Sequence, residues 1–267
     1  MKPQIFAVAA LVAVALAGVA QAGPGPTSPL YLTYVNAGKN IVVIQGNSVI
    51  ISFPEAYGYA PYEMPIAVSG DVRTIGFESG ISGGQYTLSG TPTGTSYVVP
   101  SVIGSDGVYD STSDGSHNYL VDTKTGIVYQ TARDFTNPVA LFTSLYPVPA
   151  GITYDPVNHS LWISGGDTTT VADYSLNGIL LSSFSTGHPA NNALAFDPAD
   201  HTLWLVNVDY TGDLEQYSTA GALLSVGPYV GYASGGEFNE TPEPGTLVLF
   251  GSGILGLAGL LHRKINL

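Results

Sequence analysis

The sequence predicts an all-β protein, a β-propeller of about five to six four-stranded blades, bracketed by two short apolar segments. Three observations support this. Charged residues make up only 10% of the chain, while Gly (33), Pro (18) and Tyr (17) are abundant. Turn formers and aromatics in this proportion suit short strands rather than helices. A repeat of about 42 residues runs through the middle, and apolar runs free of acidic residues occupy both ends.

Residues 1–22 read as a signal peptide. Met1-Lys2 gives a positive start, Ile5 to Val19 is an Ala/Val/Leu run, and Ala20-Gln21-Ala22 places an A-x-A cleavage site before Gly23. An uncleaved anchor would begin in a similar way. The shortness of the run and the position of the cleavage site favour a removed signal.

Residues 23–240 carry the propeller-like repeat. Gly151-Ile152-Thr153-Tyr154-Asp155-Pro156 recurs as Ala193-Leu194-Ala195-Phe196-Asp197-Pro198. Asp155 to Asp197 and Trp162 to Trp204 are both spaced by 42, and Tyr174, Gly178 and Leu181 recur 43 residues on as Tyr217, Gly221 and Leu224. Each unit reads as four strands. In the first unit they are Ile152 to Tyr154, Leu161 to Ser164, Thr170 to Ser175 and Ile179 to Phe184. Asp155 to His159 turns the chain, because Pro fixes φ and Asp and Asn bond their own backbone. Asn177-Gly178 is a hairpin signal. Trp162 and Trp204 should take equivalent packed positions, as should Tyr154 and Phe196. A β-sandwich or a stack of hairpins is the alternative arrangement of such strands.

Upstream copies are weaker. Tyr109 to Phe142 contains Asn118 to Asp122, Thr125-Gly126 and a late strand near Val139 to Phe142. Ile66 to Val99 contains Val72 to Phe77, Gln85 to Ser89 and Tyr97 to Val99. Leu32 to Phe53 has Tyr34 to Ile44, a Gly46-Asn47 turn and Val49 to Phe53. This last stretch, with Tyr34-Val35-Asn36-Ala37-Gly38, resembles the YVTN/NHL-type propeller repeats of bacterial surface proteins.

Residues 241–267 form the third part. Thr241-Pro242-Glu243-Pro244-Gly245 precedes an apolar run, 246–261, and His262-Arg263-Lys264 follows it. Sixteen helical residues would span about 24 Å, short for a hydrocarbon core of about 30 Å. Gly251, Gly253, Gly256 and Gly259 weaken the helix further. Arg263 and Lys264 should hold the end in the cytoplasm. An ordinary single-span anchor has the same physical pattern. The ordered set of Pro242-Glu243-Pro244, a Gly/Leu-rich membrane segment and a basic end resembles the PEP-CTERM sorting signal. That resemblance implies export through the secretion translocon of a Gram-negative bacterium and transient inner-membrane anchoring. It also implies recognition by an exosortase-type membrane protease, cleavage near Pro242-Glu243-Pro244, and a final place on the cell surface or in an exopolysaccharide or biofilm matrix.

Between the two ends, Lys39, Arg73, Lys124 and Arg133 stand against 19 of the 20 acidic residues, a net charge of −15. Such a surface disfavours nucleic acid and anionic lipid as partners, and it also serves simple solubility. Without cysteine, disulfides and thiolate metal sites are excluded.

No catalytic constellation emerges. G-x-S-x-G and H-E-x-x-H are both absent. His159 and His201 hold equivalent turn positions and read as turn residues. The Gly/Ser-rich stretch with Asp106, Asp110 and Asp114 could offer carboxylates to Ca²⁺, but it lacks the EF-hand spacing and reads as a solvated loop. Asn192-Ala193-Leu194-Ala195-Phe196 resembles the N-G-L-x-F stretch of gluconolactonase-like propellers, whose Asn lies near a divalent metal. Ala193 replaces the Gly, Asn207 stands where that family often has Asp, and Glu55, Glu63 and Glu78 are unplaced carboxylate candidates. The favoured expectation is a non-enzymatic binding or scaffold propeller that needs no cofactor. The alternative is a metal-dependent lactonase-like hydrolase.

Overall fold

The computed structural model describes residues 23–239 except 35–39, 58–62, 79, 104–106, 147, 190 and 209–210. Ala20, Ala22, Asp106, Pro242, Glu243, Pro244, Arg263, Lys264 and the apolar run 246–261 therefore lie outside the described residues.

Among the described residues, twenty strands form five antiparallel four-stranded sheets, the blades of a propeller. Blade 1 takes β1 (Leu30–Tyr34), β2 (Asn40–Gln45) and β3 (Ser48–Pro54) from the start of the chain. Blade 2 is β4 (Ile66–Val68), β5 (Val72–Thr74), β6 (Ser82–Tyr86) and β7 (Pro92–Val98). Blade 3 is β8 (Ser111–Ser113), β9 (His117–Val121), β10 (Ile127–Ala132) and β11 (Val139–Thr143). Blade 4 is β12 (Pro149–Asp155), β13 (Ser160–Gly165), β14 (Thr170–Ser175) and β15 (Leu180–Ser185). Blade 5 is β16 (Asn191–Asp197), β17 (Thr202–Asn207), β18 (Asp213–Ser218) and β19 (Leu223–Tyr229).

The last strand, β20 (Ala233–Phe238), completes blade 1 from inside, with the order β20-β1-β2-β3. Leu30 pairs with Phe238 and Leu32 with Gly236, so the first and last described strands close the ring. The expected range of five to six blades thus resolves to five. The strand that the first unit lacked comes from the C-terminal end.

The inner strands β20, β4, β8, β12 and β16 follow one another around the axis and are buried throughout their length, apart from a half-buried Asn192. Alternate residues of each blade pack on the next blade. Trp162 joins Leu194, Phe196, Leu203 and Tyr217 between blades 4 and 5. Trp204 does the same with Leu30, Leu32, Ala195 and Phe238 between blades 5 and 1. Both indoles are 1% exposed and hold equivalent places, as the repeat predicts. Tyr154 and Phe196 likewise enter successive inter-blade clusters.

Blade 2 departs from the expected strands. The third strand starts at Ser82 rather than Gln85 and ends at Tyr86, where Thr87 to Thr91 turns the chain. Gly83 and Gly84 hide this strand from any apolar pattern. A Cβ on Gly84 would stand 2.0 Å from the Tyr57 ring, and one on Gly83 would stand 2.4 Å from the Thr74 carbonyl oxygen. The turn residues His159 (φ 52) and His201 (φ 59) both adopt the left-handed region, which accounts for their repetition.

Candidate functional site

The axis of a propeller is the place where all blades converge, and here Asp110 occupies it. The sequence suggests a solvated loop for this residue, but it is fully buried at the start of β8. Its Oδ1 accepts the backbone N–H of Ser111 at 2.9 Å and of Gly236 at 3.1 Å, and Oδ2 accepts that of Ile152 at 3.4 Å. The Leu194 amide also bonds this carboxyl. Positions 110, 152, 194 and 236 are spaced by 42, so one carboxylate gathers the same amide from three following blades. Burial pushes the Asp110 carboxyl well above the ordinary range, against the pull of the four amides.

Around Asp110 the axis is lined by backbone and hydroxyls. Thr112 Oγ1 donates to Glu237 Oε1 at 2.9 Å and accepts Tyr154 N–H at 3.0 Å. Thr153 Oγ1 accepts Phe196 N–H at 2.9 Å. The inner strands approach too closely for side chains at some positions. A Cβ on Gly236 would lie 2.6 Å from the Ala193 carbonyl oxygen, and one on Gly235 would lie 2.3 Å from that of Met64. The described axis is therefore packed.

The other sequence candidates separate. Asp114 sits at the far end of β8 from Asp110. Its oxygens accept Ser116 N–H (2.7 Å), His117 N–H (2.6 Å) and the Tyr119 hydroxyl (2.8 Å). Burial works against its ionised form, but these donors outweigh burial and lower its pKa. Asp110 and Asp114 thus face donors rather than a shared cation position. Among the described residues, no three His, Asp or Glu side chains gather as a metal site.

Glu63 is fully buried and accepts Tyr57 N–H (2.7 Å), the Thr74 hydroxyl (2.6 Å) and the Tyr86 hydroxyl (2.7 Å). Burial, reinforced by this carboxylate, raises the Tyr86 pKa. Glu55 is half-buried after β3, and Glu78 is exposed.

Asn192 pairs with Val206, and its neighbour Asn191 pairs with Asn207. The backbone shifts register between Asn192 and Ala195, and Ala193 takes φ 50, where the resembling motif has glycine. Asn191, which the sequence did not single out, is fully buried and donates to the carbonyls of His188 (3.0 Å) and Thr168 (3.4 Å). The Oδ1 atoms of Asn191 and Asn207 are buried without a hydrogen-bond partner. Nearby, His188 Nε2 and the Tyr217 hydroxyl meet Glu215 Oε2 at 2.9 and 2.8 Å. The only sequence signal for this group was the Asn-Asn pair opening β16.

Residues 240–264 match the PEP-CTERM protein-sorting motif, in agreement with the order of parts read from the tail. This motif implies exosortase processing and membrane-anchored sorting. No curated protein matches the chain. Among solved structures, a chain of a nidogen/laminin complex is 15% identical, with a TM-score of 0.54, over 79% of this chain and 97% of that one. A protein of unknown function from Bacteroides thetaiotaomicron is 12% identical, with a TM-score of 0.49, over 81% and 66%. An inactive virginiamycin B lyase from Staphylococcus aureus is 14% identical, with a TM-score of 0.46, over 72% and 64%. At these identities the first likeness bears on the fold alone. The architecture is the all-β propeller of four-stranded blades that the repeats suggested.

Proposed function

We propose that this chain is an exported, exosortase-processed protein of the cell surface or extracellular matrix, and that its propeller binds or scaffolds rather than catalyses. The observation that carries the reading is a sorting motif at 240–264 placed directly after the strand that closes the propeller. A protease recognising that motif would release a folded, five-bladed body from the inner membrane. Export would require the N-terminal signal, with cleavage between Ala22 and Gly23. Gly23 N–H bonds the Val226 carbonyl at 2.5 Å, so the new N-terminus would lie docked on blade 5. Support for binding over catalysis comes from the packed axis, lined by Thr hydroxyls and backbone, where Asp110 accepts amides and Glu237 accepts the Thr112 hydroxyl. Exopolysaccharide or another matrix component is the expected partner class. The test is deletion of the gene followed by a combined biofilm and surface-fraction assay. Loss of matrix with the processed protein missing from that fraction supports the reading. An unaltered matrix sinks the scaffold role.

The second reading, a metal-dependent lactonase-like hydrolase, is favoured by one observation. The unpartnered Asn191 and Asn207 oxygens are acceptors of the kind that a hard cation such as Ca²⁺ takes. Turnover of lactones dependent on a divalent metal would establish it.

A further inference from the structure

We infer that the face of the propeller from which β20 emerges is the surface that meets the outer side of the membrane-embedded protease during tail removal. The inference rests on the sorting reading above and adds an orientation to it.

All five inner strands run in one direction along the axis, and β20 is one of them. Phe238 therefore emerges at the centre of one face, among the turns that join first and second strands: 69–71, 114–116, 156–159 and 198–201. Asn239 Oδ1 accepts Gly70 N–H at 3.0 Å, which ties the last described residue to the neighbouring blade. Pro242 lies only four positions after Phe238. Fully extended, four residues reach about 14 Å. Four strands spaced by about 4.8 Å give each blade a width near 19 Å. The motif thus hangs from the middle of a disc wider than the tether is long. A protease that cuts there must come under the disc and lie against this face. The opposite face, with Asn191, Asn207 and His188, would point away from the membrane.

The chemistry of the exit face suits contact with another protein. His117, His159 and His201 recur at intervals of 42 residues, one on each of three successive blades, around the point of exit. Carboxylates on this face are turned to donors of their own chain. Asp71 pairs with Arg73 and, at 3.2 Å, with Arg133. Asp155 accepts Val157 and Asn158 N–H, Asp197 accepts Ala199 N–H and the Ser28 hydroxyl, and Asp200 accepts Thr202 and Gln216. Among the described residues, the Asp side chains named on this face are each held by donors of their own chain.

A pair of insertions in the full chain tests the inference in the native host. A small folded domain with adjacent termini is inserted after Val157, on the exit face, or after Asp167, on the opposite face. Both sites are exposed turns. Ala199 and Thr211 provide a second exit and opposite pair should either first insertion prevent folding, which resistance to trypsin reports. The fraction of chain lacking its tail is measured by mass spectrometry. The exit-face insertion should lower tail removal at least tenfold and the other insertion should not. A Gly/Ser linker of about 15 residues after Asn239 should restore removal in the blocked variant, because it lengthens the tether beyond the obstacle. Equal removal in both insertion variants overturns the inference. Replacing Pro242, Glu243 and Pro244 by Ala in the otherwise native chain separates the two claims, since undiminished removal there sinks the sorting reading itself.

Discussion

The carboxylate of Asp110 accepts the amide proton of Gly236 at 3.1 Å, across 126 residues of chain. This bond joins β8 to the strand that closes the ring, and the same carboxylate also holds the Ile152 and Leu194 amides. Replacing Asp110 by Ala should cost roughly 3–5 kcal/mol, since each buried amide left without an acceptor costs about 1–3. Urea unfolding of the mature protein measures this loss. A change under 1 kcal/mol would remove Asp110 from its role at the axis.

Asp110 and Asp114 should give opposite pH dependences. The Asp110 pKa is raised in the folded state by burial. Its contribution is therefore fully present below the unfolded value of about 3.9 and is lost as pH rises through the folded value. The penalty of Asp110→Asn should be larger near pH 4 than near pH 7. The Asp114 pKa is lowered, because its amide and hydroxyl donors outweigh burial. Its contribution is present above about pH 3.9 and is lost as pH falls through the folded value. The penalty of Asp114→Asn should therefore shrink on acidification. Stability curves of both variants across pH check the two signs.

The two repeat tryptophans should respond differently to the same substitution. Either one changed to Ala should lose about 3–5 kcal/mol, because both are fully buried. Trp162 Nε1 donates to Asp155 Oδ2 at 3.4 Å, whereas Trp204 Nε1 is buried without a partner. Trp204→Phe removes an unsatisfied donor and should cost less than Trp162→Phe, by about 1 kcal/mol. Parallel thermal melts decide between them.

Asn192→Ala and Asn207→Ala should leave the fold intact and produce no loss of lactone hydrolysis. Neither residue stands in a cluster of three metal-binding carboxylates or imidazoles among the described residues. Lactone turnover with added Ca²⁺, measured in the parent and both variants, is the check. Metal-dependent turnover lost in either variant would promote the hydrolase reading.

Changing Pro242, Glu243 and Pro244 to Ala should trap an uncleaved form in the inner membrane. Neutral replacements of Arg263 and Lys264 should impair retention before processing, since charges oppose translocation. Mass spectrometry of the surface fraction reads both effects. Recovery of intact 23–267 from the parent strain would reduce the tail to an ordinary anchor.

By itself the sequence determined the two blades at 151–226, the equivalence of Trp162 with Trp204, the turns at His159 and His201, and the sorting motif. These features are local. A strand's period, a turn's chemistry and a linear motif are each written within a few residues, and the 42-residue offset repeats them. Only the tertiary structure decided the closure of the ring and the fate of Asp110. Phe238 continues the spacing of Tyr154 and Phe196, but Ala233-Ser234-Gly235-Gly236-Glu237 shows no apolar pattern. Its glycines are set by backbones converging at the axis, and its pairing partner Leu30–Tyr34 lies some 200 residues away. Asp110 appeared as a loop carboxylate for the same reason. Three of the amides that hold it, those of Ile152, Leu194 and Gly236, come from distant strands in blades 4, 5 and 1, and no local pattern encodes contacts made only when the ring closes.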